Sequence, residues 1–142
     1  MIDQTVAARS NLIQVTPFLG VGPIERSIAF YRDVLGFTLY VQGGGYAYLE
    51  RDRVAVRLLE LDGGAPHPPG CSHIYIDVRD CDALFAELEP QLRALPADRV
   101  RGPADAVYGQ REFSVRDPDG NLVMFGQGIG DNASQWDYRD RD

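Results

Sequence analysis

Tyr108-Gly-Gln-Arg-Glu-Phe-Ser-Val-Arg-Asp-Pro-Asp-Gly-Asn-Leu-Val-Met-Phe125 predicts a strand, a tight turn and a returning strand. Phe113 and Val115 alternate with Ser114 and Arg116, the period of a strand with one buried face. Asp117-Pro118-Asp119-Gly120 then supplies turn chemistry: proline fixes φ near about −65° and glycine lets the chain reverse. Leu122 to Phe125 returns as the second strand.

Working upstream, Asp80 is a fair N-cap for a helix that puts Cys81, Leu84, Phe85, Leu88 and Leu92 on one face. Leu95-Pro-Ala-Asp98 ends that helix, and a short strand starts at Arg99. Ser72 to Val78 is a strand, preceded by a Pro/Gly linker at 63–70. The same order fills the first half. Leu12 to Phe18 is a first strand with Pro17 near its end, at an edge or a bulge. Pro23 opens a helix carrying Ile24, Ile28, Tyr31 and Leu35, and Gly36 closes it. Phe37–Val41, Tyr46–Arg51 and Val54–Glu60 are three strands. Residues 1–10 form a loose arm without an apolar signal-peptide core. The tail from Gly128 to Asp142 is mobile or packed on a partner.

The chain has 142 residues, enough for one domain with a real core. No apolar run approaches the roughly 20 residues of a membrane helix, so a cytoplasmic protein without membrane partners is expected. All 14 basic residues are arginine, which excludes Schiff-base and P-loop lysine chemistry. A net charge of −7 argues against nucleic acid and favours a cationic ligand. Cys71 and Cys81 have no metal-like spacing and are read as reduced thiols.

The hairpin and the helix segment Ser27-Ile-Ala-Phe-Tyr-Arg-Asp-Val-Leu-Gly-Phe37 closely resemble the vicinal oxygen chelate superfamily. That superfamily includes glyoxalases, extradiol dioxygenases and bleomycin-resistance proteins; this chain most resembles the last group, over residues 12–126. The resemblance implies a single α+β domain over 1–142, with two βαβββ modules forming a curved mixed sheet around a cleft. Module one spans about 11–62, module two about 71–127, and 128–142 is the tail.

In metal-using relatives the ligands come from the first strand of each module and the last strand of the second. Those positions fall here on Thr16, His73 and Met124. A thioether does not replace a carboxylate on a hard or borderline divalent ion, and one surviving ligand of three holds no metal. No metal and no cofactor are therefore expected. His67, between two prolines, is a loop residue.

Strand alternation puts His73, Tyr75 and Asp77 on one face of their strand and Ile74, Ile76 and Val78 on the other. The polar set is expected to face the cleft. By resemblance, Tyr46 and Tyr108 sit where bleomycin-resistance proteins carry drug-contacting aromatics, and Tyr75 matches a cleft tryptophan. Tyrosines also serve strands by packing alone, so each has a structural alternative. Arg111 and Glu112 face opposite sides, one toward the cleft or a dimer seam. Arg57, a charge in an apolar strand, either recognises an anion or makes a salt bridge on the outer face. The expected ligand-binding set is Tyr46, His73, Tyr75, Asp77, Tyr108, Arg111 and Glu112, with no catalytic residue.

Three functions compete at this stage. The first is metal-free sequestration of a cationic aromatic drug in a homodimer-interface cleft. The second is a glyoxalase-like or dioxygenase-like metalloenzyme, or a metal-free enzyme using His73 or Glu112 as base. The third is a binding module for an endogenous metabolite.

Overall fold

Two parallel strand pairs, one per module, organise the chain. In the first, β1 (Phe18–Val21) runs beside β4 (Val54–Glu60), with Phe18 opposite Arg57. In the second, β5 (His73–Asp77) runs beside β8 (Leu122–Gly128), with Tyr75 opposite Met124. The computed structural model describes residues 11–137; the arm at 1–10 and the segment 138–142 lie outside the described residues.

Antiparallel strands complete each sheet: β2 (Thr38–Gly43) and β3 (Tyr46–Arg51) in module one, β6 (Val100–Ala106) and β7 (Gln110–Arg116) in module two. The strand orders are β1-β4-β3-β2 and β5-β8-β7-β6, so the βαβββ plan is used twice. One helix covers each sheet: α1 (Ile24–Ala29), extended by a wide π turn over Phe30–Val34, and α2 (Cys81–Leu92). Beneath them Leu19, Val21, Leu49, Val56, Leu58, Phe113, Val115, Val123 and Phe125 form one buried core. Each such side chain contributes on the order of 1.5–3 kcal/mol by leaving water.

Local chemistry explains the boundaries. Asp80 caps α2 by accepting from the Ala83 amide at 3.0 Å, as its position predicts. At α1 the cap is remote: Glu60 Oε1 accepts from the Ile24 amide at 2.8 Å, because Pro23 has no cap side chain. Gly36 ends the helical segment at φ 78°, where a side chain is strained. The first strand departs from expectation. It begins at Phe18, where it was expected to end, and residues 11–17 lie outside any strand. Pro17 offers a carbonyl to Arg57 but no amide, and Leu12, Ile13 and Val15 are 93%, 91% and 89% exposed.

The Asp117–Asn121 turn joins the modules. Tyr31 of module one donates its phenol to Asp117 Oδ2 at 2.9 Å. Asn121, wholly buried, donates to the Gly20 carbonyl at 2.9 Å and accepts from the Ser72 amide at 2.8 Å. Gly70 passes so close to the turn that a Cβ there would lie 1.9 Å from the Asp119 carbonyl oxygen. The turn motif is thus an intermodule latch as well as a hairpin connection. The described part of the tail folds back on its own module, where Asn132 donates to the Tyr108 and Gly109 carbonyls.

Candidate functional site

Each sheet buries one face under its helix and leaves the other open. In module two the register puts His73, Tyr75 and Asp77 of β5, Met124 and Gly126 of β8, and Gln110 and Glu112 of β7 on the open face. Period-two alternation causes this, since the apolar partners Ile76, Phe125 and Phe113 occupy the opposite face.

Glu112 is the centre of a polar cluster there. Tyr75 donates to Glu112 Oε2 at 3.0 Å, and Tyr108, from the β6–β7 turn, donates to Glu112 Oε1. Gln110 Oε1 lies 3.3 Å from the Tyr75 phenol. Burial, and then the Glu112 carboxylate, push the Tyr75 phenol far above the ordinary tyrosine range. The hydrogen bond to Glu112 raises Tyr108 as well. Both phenols therefore stay protonated and hold the carboxylate in place. Yet Tyr75 and Tyr108 remain 39% and 58% exposed, so their rings are available to a ligand. An oriented carboxylate between two exposed phenol rings suits a cation with a flat apolar body.

Five of the seven expected residues thus share this face or its rim: His73, Tyr75, Asp77, Tyr108 and Glu112. Two do not. Arg111 points to the helix side, where it pairs with Asp82 of α2 at 2.8 Å and Asp105 of β6 at 2.9 Å. Consecutive strand residues point apart, and the acid, not the base, took the open face. Tyr46 lies on the open face of the other sheet, bonded to Arg57. Gln110 was legible from the same alternation, two residues before Glu112. Gly126 was not, because its contribution is a missing side chain.

Tyr75 and Asp77 also line an open groove of ≈ 1090 Å³ between the modules, with Phe37, Arg51 and Trp136. Its size suits a drug-like molecule. Glu112 and Tyr108 stand outside it, so the polar cluster and the groove meet only along β5.

The residues at the superfamily's metal positions do not fit a metal. His73 Nε2 lies 3.0 Å from Met124 Sδ, and Thr16, in the other module, accepts from Arg57 at 2.7 Å. One imidazole and one soft thioether are too few ligands for a divalent ion that prefers carboxylate and imidazole. Among the described residues no group of three or more His, Cys, Asp or Glu side chains is placed to hold a metal.

A family model described as Glyoxalase/Bleomycin resistance protein/Dioxygenase superfamily matches residues 11–125. The chain belongs to this superfamily. Within it, a bleomycin resistance protein of Geobacillus stearothermophilus is 32% identical over 133 residues, covering 83% of this chain and 98% of that protein. The bleomycin-binding protein of bleomycin-producing Streptomyces verticillus, solved with copper(II)-bleomycin, has a TM-score of 0.68 at 25% identity, covering 85% of this chain and 98% of that one. A lactoylglutathione lyase of Agrobacterium tumefaciens shares the fold, with a TM-score of 0.62 at 23% identity over 84% of this chain and 96% of that one. One fold thus serves a bleomycin-binding protein and a lyase, and the site must decide between such roles.

Proposed function

We propose that this superfamily member sequesters a cationic aromatic small molecule, with bleomycin as the reference ligand. One observation carries the reading: a Glu112 carboxylate oriented by two exposed tyrosine phenols on an open sheet face. Binding there lowers the ligand's free concentration and needs no reacting group. The net charge of −7 draws a cation in. The 32% identity to a bleomycin resistance protein supports the ligand class.

The same reading takes the working form as a homodimer. Leu12, Ile13 and Val15 are almost fully exposed, and Phe18, Tyr40 and Val41 are more than half exposed, at 56%, 63% and 53%. Apolar surface on that scale calls for cover. A second copy supplies it by laying its module-one face against this module-two face, which turns the Glu112 face into one wall of a cleft.

The enzyme reading has no group of three metal-ligating side chains among the described residues, and of its two candidate bases His73 is engaged with Met124 and Glu112 accepts from two phenols. Metal analysis and bleomycin calorimetry on one preparation test the proposal. Saturable binding without stoichiometric metal supports it, and stoichiometric metal with no bleomycin binding refutes it.

A further inference from the structure

The open face of module one carries a cation that no described carboxylate pairs, although Glu50 lies on the same face two residues along β3 from Tyr48. Arg57 is half-buried on β4, and no Asp or Glu among the described residues lies within ion-pair distance of it. Its Nε donates to Thr16 Oγ1 at 2.7 Å and its Nη1 to the Tyr46 phenol at 2.5 Å. The guanidinium carbon lies 5.0 Å from the centre of the Tyr48 ring and 5.9 Å from that of Phe18. Rings and hydroxyls therefore fix the group's plane. Among the described residues two of its five N–H donors are used, which leaves three for a bidentate acceptor.

A partly desolvated cation with idle donors is a costly arrangement in a chain with 21 acidic residues. The internal repeat sharpens the point. Phe18 faces Arg57 across β1 and β4 as Tyr75 faces Met124 across β5 and β8. The Thr16–Arg57 bond is thus the first-module counterpart of the His73–Met124 contact. One open face presents an oriented cation where the other presents a neutral thioether, with Glu112 nearby.

We propose that Arg57, framed by Thr16, Phe18, Tyr46 and Tyr48, is a binding site for an aromatic monoanion of the arene carboxylate class. The carboxylate takes the free guanidinium edge, and the ring lies against Phe18 and Tyr48. This goes beyond the reading above and does not rest on it: Arg57 and Glu112 belong to different modules, the proposed dimer sets the two faces opposite each other, and benzoate and bleomycin titrations read the two residues separately.

The test is a titration of the arginine Nε–Hε NMR signals of the full chain with sodium benzoate at constant ionic strength. The Arg57 signal is expected to shift saturably, with benzoate binding roughly two- to tenfold tighter than acetate because of the ring. Arg57→Gln abolishes the response. Arg93→Gln, at a solvated i,i+4 pair with Glu89, leaves it intact. A non-saturating shift, or one shared equally by all arginines, overturns the proposal. So does an Arg57 signal that ignores benzoate while Arg57→Gln turns a dimer into a monomer, since Arg57 then serves a carboxylate of the second copy. Thr16→Val and Tyr46→Phe, which release the guanidinium without removing it, are expected to weaken benzoate while leaving acetate nearly unchanged.

Discussion

The phenol of Tyr75 on β5 crosses β8 at Gly126 to reach Glu112 on β7, 3.0 Å away. A Cβ at Gly126 would sit 1.7 Å from the Tyr75 oxygen and 2.3 Å from its Cζ. Glycine is therefore required there by the aromatic lying on it. Gly126→Ala is expected to lift Tyr75 off Glu112 while the strand stays paired. Three tyrosines, Tyr31, Tyr75 and Tyr108, have phenols raised above the ordinary range of about 10. Their stabilising contribution is full below about pH 10 and is lost as pH rises through the raised values. Following phenolate absorbance against pH, wild type should keep these phenols protonated above about pH 10. Gly126→Ala should return one to the ordinary range. An identical titration curve would contradict the Tyr75 geometry.

Tyr108 donates to Glu112 from an exposed turn, so it is expected to matter for ligand and little for folding. Tyr108→Ala should weaken bleomycin by about 0.5–2 kcal/mol, the worth of one cation–π contact. Its unfolding free energy should stay within about 0.5 kcal/mol of wild type. Unaltered affinity removes Tyr108 from the site.

How much of this was legible in the sequence depends on the residue. The hairpin, Asp80 and Gly36 declared themselves, because turn, cap and helix-end chemistry are local. His73, Tyr75 and Asp77 followed from strand alternation. The first strand was misplaced because Leu12, Ile13 and Val15 look like strand residues, whereas pairing needs a neighbour and only Phe18–Val21 has one. Alternation left the choice between Arg111 and Glu112 open; the acids Asp82 and Asp105 on the helix side decide it. The latch at Asn121 joins residues 101 positions apart, beyond any local signal.

That latch should carry stability. Asn121→Ala leaves the Ser72 amide without its partner, removes a donor to Asp117 and removes one of the two donors to the Gly20 carbonyl, the Gly70 amide being the other. A loss of roughly 2–3 kcal/mol is expected in urea unfolding, the cost of stranding buried polar groups. An unchanged midpoint would mean that the modules are held together elsewhere.

The exposed arm makes a prediction about assembly. Replacing Ile13 and Val15 together by Asp should convert a dimer to a monomer in light scattering, because their side chains make no demand on the monomer's own core. If the double variant remains a dimer, the arm does not cover a partner.

The most direct test of the account is calorimetric titration of metal-free bleomycin into the wild-type protein and into Glu112→Gln, at low and at moderate salt. The account predicts saturable binding near one ligand per subunit, weakened by salt, and at least tenfold weaker in the variant, since a hydrogen bond to a charged group is worth about 1.5–3 kcal/mol. No binding to wild type, or equal affinity in the variant, would contradict a cation held by Glu112.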